Sequence, residues 1–102
     1  MSNLKFMTRA ELFNAASQLP SWEMRIPDRR GAPYDRGLNG QASYSEMHTI
    51  LGDTWTMARD TRRNRGYNAA RMNCRPEDVR FVSRKEYHAA QHVALASREQ
   101  AQ

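Results

Sequence analysis

Cysteine is nearly absent from this chain. The 102 residues contain one, Cys74, so no internal disulfide can form and no cluster of thiolate metal ligands can be assembled. A single thiol is typical of proteins that work in a reducing compartment. We therefore expect a fold that is held together without covalent cross-links.

Long apolar runs are also lacking. No stretch is long enough to span a bilayer, and residues 1–7 do not have the basic-then-apolar pattern of a signal peptide. A length of 102 residues with 39% hydrophobic residues suits one small domain with a modest core. These features predict a single cytoplasmic domain spanning residues 1–102, with no membrane partner.

Lysine is scarce, and the positive charge of the chain is almost all arginine. There are 14 arginines and two lysines. Between residues 59 and 75 lie six arginines and one acid, Asp60, which gives a local charge of +5, the formal net charge of the whole chain. The basic excess is therefore a patch, and a patch of this kind predicts a charged partner.

Three short motifs predict where helices begin. In each, a hydroxyl residue precedes a glutamate by three positions, so the two side chains can satisfy backbone donors reciprocally in a capping box. The motifs are Thr8–Glu11, Ser43–Glu46 and Ser83–Glu86. The first predicts a helix through about Leu19, before Pro20, and the third predicts a helix through about Ala96.

The second motif opens the longest predicted helix, from Ser43 to about Asn64. Apolar residues recur along it at helical spacing and form one stripe: Met47, Ile50, Leu51, Trp55 and Ala58. Gly52 lies inside this predicted helix, and Gly66 follows it in a position that commonly ends helices.

Two short segments alternate with the period of a strand, Trp22–Ile26 and Val79–Val82. They can pair with each other. The residues from Pro27 to Gly40 are rich in glycine and proline, which is typical of a loop. The predicted fold is a small single α+β domain with three helices, a short two-stranded β element and a long central loop.

The arginine patch gives the strongest indication of function. Guanidinium groups bind phosphate well because each presents two donors to two oxygens. A predicted turn at residues 66–68 carries an aromatic side chain that can stack on a base. The predicted nucleic-acid-binding residues are Arg59, Arg62, Arg63, Arg65, Tyr67, Arg71 and Arg75.

Two other interpretations of the patch stay open. Nearby acids can neutralise its arginines within the fold: Asp53, Asp60, Glu77 and Asp78. An acidic protein surface is another possible target, because a basic face speeds encounter with any polyanionic partner.

The segment Asn73–His88 opens with Asn-Cys-Arg-Pro-Glu-Asp-Val and resembles the second half of the HNH endonucleases. In that family such a turn leads into a short strand and a helix that carries histidines. The resemblance implies a ββα-metal unit, in which His88 and His92 hold a divalent metal ion against the scissile phosphate. The histidine that the family uses as general base has no counterpart between His48 and His88.

We rank three functions. The first is a small basic nucleic-acid-binding protein, without catalytic residues or a cofactor, of the kind that phages and mobile elements encode. The first alternative is a protein-binding inhibitor of a host system, such as an anti-CRISPR protein. The second alternative is an HNH-like nuclease that needs a divalent metal ion at His88 and His92.

Overall fold

The computed structural model describes residues 6–20 and 42–100. Its elements, in chain order, are α1 (Arg9–Ser17), α2 (Tyr44–Leu51), β1 (Trp55–Thr56), α3 (Arg62–Met72), one turn of 3-10 helix (Pro76–Asp78), β2 (Arg80–Phe81) and α4 (Arg84–Gln100). The predicted α+β class is confirmed. The described residues contain four α-helices, however, where three were predicted.

The three capping motifs each lie at the start of a helix. Thr8 Oγ1 accepts from the Glu11 backbone N–H at 3.1 Å, and the Glu11 carboxylate accepts from the Thr8 N–H at 3.0 Å. Ser43 and Glu46 form the same reciprocal pair at the start of α2. At the start of α4, the Ser83 hydroxyl accepts from the N–H of Glu86 at 3.0 Å. Local side-chain chemistry therefore determines where these helices begin.

The predicted helix from Ser43 to Asn64 is wrong beyond Leu51. Gly52 ends α2 with φ 101° and ψ 173°, a backbone conformation that is essentially restricted to glycine. The chain then forms β1, where Trp55 is 4% exposed. Gly66, predicted to end a helix, lies in the interior of α3. The predicted second helix therefore covers α2, β1 and only the first turn of α3.

The two short strands pair in parallel, with Trp55 opposite Arg80 and Thr56 opposite Phe81. The N–H of Arg80 donates to the Thr54 carbonyl and the N–H of Val82 to the Thr56 carbonyl, both at 2.8 Å. The predicted strand at 79–82 is thus present as β2, and its partner comes from a segment predicted to be helical. The predicted strand at 22–26 and the predicted loop at 27–40 lie outside the described residues.

The hydrophobic core lies where α4 packs against α1 and α2. Small side chains on α4 allow the other two helices to approach closely, because Ala89, Ala90 and Ala94 are at most 1% exposed. Leu12 of α1 and Ile50 of α2 are equally buried. Helix α3 has no such role, since its main packing partner is the 3-10 turn.

Three ion pairs attach α4 to its neighbours within the described ranges. The carboxylate of Glu86, which is fully buried, accepts from Arg80 of β2 and from Arg9 of α1, the latter at 3.3 Å. Farther along α4, Arg98 binds both carboxylate oxygens of Glu46 on α2, at 2.6 and 3.0 Å. The domain is therefore joined by charged contacts at both ends of α4.

Candidate nucleic-acid interface

Helix α3 carries most of the arginine patch and has polar caps at both ends. Thr61 Oγ1 accepts from the Asn64 N–H at 3.1 Å, and the Asn64 amide donates to the Arg59 carbonyl at 2.8 Å. Asn73 ends the helix in the left-handed conformation, with φ 56°, which asparagine tolerates well. The caps fix a helix that has arginines at its first two positions and no acid in its first turn.

One side of α3 is packed and the other is exposed. Asn68 and Ala69 are each 3% exposed and face the rest of the domain. The opposite side consists of positions that are all exposed: Arg62, Arg63, Gly66, Tyr67, Ala70 and Arg71. We call these six residues the exposed α3 face. The arginines at 59, 62 and 63 were predicted at the end of a helix, and they lie instead just before and at the beginning of one.

Arg65 points away from this face and binds within the fold. Its guanidinium forms an ion pair with Asp60 at 2.8 Å and donates to the Pro76 carbonyl at 3.1 Å. It also lies over the Phe81 ring, 4.8 Å from the centroid, a cation–π geometry. Arg65 therefore attaches α3 to the 3-10 turn and to β2.

Arg75 is neutralised by its neighbours. It binds both carboxylate oxygens of Asp78, at 2.9 and 3.1 Å, and lies 3.5 Å from the Glu77 carboxylate. The hydrogen bond from Arg75 lowers the pKa of the Asp78 carboxyl, and the same bond raises the pKa of Arg75. The guanidinium is well exposed, but its charge is compensated locally.

Among the described residues, Arg71 has no acidic partner. Its guanidinium donates to the side-chain oxygen of Asn68 at 2.9 Å, and the Asn68 amide donates to the Asn64 carbonyl at 2.8 Å. An amide partner orients the guanidinium without neutralising it. Asn68 is therefore a positioning residue for Arg71, and sequence reasoning did not identify it.

The three remaining arginines are Arg59, Arg62 and Arg63, and all are exposed. Within the described part of the chain, their side chains form no hydrogen bond or ion pair. Asp53, considered above as a neutralising acid, lies 3.4 Å from His48 instead. Together with Arg71, these three give four guanidinium groups on or next to one helix that have no acidic partner among the described residues.

Tyr67 was predicted in a turn and lies on α3, where it is 65% exposed. It is four residues after Arg63 and four before Arg71, so the three side chains form one stripe along the exposed α3 face. Gly66 and Ala70 lie beside this stripe and carry almost no side chain. Sequence reasoning missed both, because their spacing has meaning only once this segment is known to be helical.

The segment that resembles the HNH endonucleases runs from the end of α3 through the 3-10 turn and β2 into α4. The element just before Asn73 is a helix, and β2 pairs in parallel with β1. His88 and His92 lie on α4 and are half-buried. In residues 6–20 and 42–100, no three His, Cys, Asp or Glu side chains are grouped so that they could hold a metal ion. The metal site stays a prediction that rests on two imidazoles.

No protein-family profile, curated protein or solved structure matches this chain. None of the described helices has the length and apolar character required to cross a bilayer. The geometry of α3 and its charges are therefore the basis for proposing a function.

Proposed function

We propose that this chain is a non-catalytic nucleic-acid-binding protein and that the exposed α3 face, together with Arg59, is its contact surface. The observation that carries the proposal is the group Arg59, Arg62 and Arg63, three exposed guanidiniums without an acidic partner among the described residues. A cytoplasmic location, which the single cysteine favours, is part of the proposal.

The position of these arginines is unfavourable for the isolated domain. The N-terminus of a helix has a partial positive charge, and a cation there costs about 0.3–1 kcal/mol. Helix α3 has Arg62 and Arg63 in its first turn and no acid in that turn, and Asp60, just before the helix, is paired with Arg65. A phosphate group bound at this end removes the repulsion and also meets free backbone N–H groups. The arrangement is therefore better suited to a polyanion-bound state than to the free protein.

The side chains divide into contacting and positioning groups. Arg59, Arg62, Arg63 and Arg71 are available for phosphate, and Tyr67 offers an exposed ring to a base or a sugar. Arg65 and Arg75 were predicted as contacts and are assigned here to the fold, because each has an acidic partner. The contact surface thus has four cations where six were predicted.

A salt titration tests the proposal quantitatively. Binding of a fluorescein-labelled 20-base-pair duplex and of its single strand is followed by fluorescence anisotropy over a range of NaCl concentrations. Each phosphate contact contributes a slope of about −0.9 in log K against log salt for a duplex, so four contacts predict about −3.6 and six would predict about −5.4. The triple variant Arg59→Ala/Arg62→Ala/Arg63→Ala is expected to lose nearly all binding.

Arg84→Ala is the matched control, because Arg84 is an exposed arginine at the start of α4, away from the exposed α3 face in sequence. It is expected to change affinity little. Absent or salt-independent binding contradicts the proposal and favours the acidic-protein alternative. Nicking of supercoiled plasmid with Mg²⁺ or Mn²⁺ that is lost in His88→Ala and His92→Ala contradicts its non-catalytic part.

A further inference from the structure

We infer that the partner of the exposed α3 face is double-stranded DNA and that α3 docks in its major groove. This inference rests on the proposed function and specifies its ligand. The supporting observation is the distribution of side chains around α3. Arg62 and Arg71 flank the face, and two positions between them, Gly66 and Ala70, have almost no side chain.

The arrangement follows from helical geometry. Successive residues are rotated by ~100° about a helix axis, so Arg62 and Arg71 lie ~180° apart and point to opposite flanks. On the same scale Gly66 and Ala70 lie ~40° and ~80° from Arg62, between the two flanks. An added Cβ at Gly66 would have no atom within 4 Å. The strip of the face between Arg62 and the Arg63–Tyr67–Arg71 stripe is therefore open, and a partner can approach the helix backbone closely there.

A DNA major groove matches this shape. It is ~12 Å wide and admits one α-helix, and the 11 residues of α3 span ~16 Å along the axis. With α3 in the groove, Arg62 and Arg71 face the phosphates of the two groove walls. Arg63, at the N-terminal end of α3, is positioned for a further phosphate contact beside the helix N-terminus.

Other nucleic acids fit this surface less well. Proteins that bind single strands use a groove with several aromatic stacking platforms, whereas this face is convex and carries one aromatic residue, Tyr67. Duplex RNA has a deep and narrow major groove that does not admit a helix. The combination of a convex helix, cations on both flanks and an open strip at Gly66 and Ala70 thus favours duplex DNA.

The test adds a side chain to the centre of the face without changing its charge. Gly66→Gln and Ala70→Gln are compared with Ala10→Gln, which makes the same change at an exposed position of α1. Labelled 20-base-pair DNA duplex, matched RNA duplex and single-stranded DNA are titrated by anisotropy, and circular dichroism verifies folding. Glutamine favours helix more than glycine, so Gly66→Gln is expected to fold at least as well as the parent protein.

We expect the parent protein to bind the DNA duplex most tightly. Gly66→Gln and Ala70→Gln should lose about tenfold or more of that affinity, because the added side chain keeps the flanking arginines away from the groove walls. Single-strand binding should change by less than about twofold, since a flexible strand can follow the altered surface. Ala10→Gln should bind like the parent.

Salt-dependent binding that favours RNA duplex or single-stranded DNA overturns the inference and leaves the proposed function in place. Duplex binding that is unchanged in Gly66→Gln overturns it as well. Failure of every nucleic acid to bind at low salt instead overturns the proposed function.

Discussion

Arg65 and Phe81 are in cation–π contact, with the guanidinium carbon 4.8 Å from the ring centroid. The contact joins the middle of α3 to β2. The ion pair to Asp60 and the hydrogen bond to the Pro76 carbonyl complete the attachment. Because α3 has few apolar residues of its own, this one arginine does much to determine how the exposed α3 face is oriented.

Arg65→Ala is therefore expected to lower the stability of the domain. It removes an ion pair, a hydrogen bond and a cation–π contact on a half-exposed side chain, which together are worth about 1–2 kcal/mol. Urea denaturation should show that loss in the free energy of unfolding. Arg65→Lys should recover little of it, since an ammonium group lacks the planar fork. Unchanged stability in Arg65→Ala would return Arg65 to the set of candidate ligand contacts.

Arg63→Ala, in contrast, is expected to raise stability and to weaken binding of nucleic acid. Removing a cation from the first turn of α3 should raise the free energy of unfolding by about 0.3–1 kcal/mol. It should also make the salt slope of duplex binding less steep by about 0.9. Thermal denaturation and the anisotropy titration measure the two effects on one sample. A lower melting temperature would mean that Arg63 supports the fold.

Sequence reasoning located three of the four helix starts in the described ranges, because a capping box involves only four consecutive residues. It extended the second helix too far because Trp55 and Ala58 continue the apolar spacing of α2. The strand that Trp55 belongs to forms by pairing with Arg80, which is distant in the chain. Gly52 is the local sign that α2 ends there, but the helical spacing of the apolar residues was given more weight.

The sequence was enough to predict that arginines cluster between residues 59 and 75. It was not enough to predict which of them form one exposed surface. Asp60, Glu77 and Asp78 were correctly considered as neutralising acids, but their partners depend on the path of the chain after α3. The separation of Arg65 and Arg75 from Arg59, Arg62 and Arg63 is therefore a tertiary property that composition does not encode.

The ion pair between Glu46 and Arg98 is expected to be lost in acid, which lowers the stability of the domain. Hydrogen bonds from Arg98 lower the pKa of the Glu46 carboxyl from 4.5 to about 2. A depressed folded-state pKa contributes stability above pH 4.5, and this contribution is lost as the pH falls from 4.5 towards 2. Glu46→Gln keeps a capping residue at this position. At pH 7 we expect it to cost on the order of 1 kcal/mol, after allowance for solvent screening.

The measurement for Glu46 is the melting temperature of parent and variant between pH 7 and pH 2.5. A loss of about 1 kcal/mol corresponds to roughly 4–8 °C for a domain of this size, and the difference should shrink as the pH falls. Glu11→Gln is the control, because Glu11 also closes a capping box and has no ion pair within the described ranges. A gap between parent and Glu46→Gln that persists in acid would exclude the ion pair as its cause.

Gly52→Ala and Gly66→Ala form a second matched pair with opposite expected signs. An added Cβ meets no atom within 4 Å at either position, so steric clashes do not distinguish them. At Gly52, with φ 101°, the alanine is strained, and we expect a loss of about 1–3 kcal/mol. At Gly66, inside α3, we expect a gain of about 0.5–1 kcal/mol. Urea denaturation of both variants tests the signs, and a gain at Gly52 would contradict the positive φ that ends α2.

Substitutions at Glu86 and at its two arginine partners separate the stability that the buried carboxylate contributes from the stability that each arginine contributes. Arg80 and Arg9 both bind it, and their side chains are 34% and 67% exposed. Glu86→Gln leaves two cations without their counter-charge, and we expect a loss of about 2–4 kcal/mol in the free energy of unfolding. Arg9→Ala should cost no more than about 1 kcal/mol, because its guanidinium is largely solvated.

Arg80→Ala should lower the free energy of unfolding by about as much as Glu86→Gln does. Arg80 also donates to the Leu51 carbonyl at 3.1 Å and so connects α2, β2 and α4. Double-mutant cycles of Glu86 with Arg80 and of Glu86 with Arg9, read by urea denaturation, isolate the two coupling free energies. Strong coupling for Arg80 and weak coupling for Arg9 are expected. Equal coupling for both arginines would show that solvent exposure does not decide which ion pair holds the domain together.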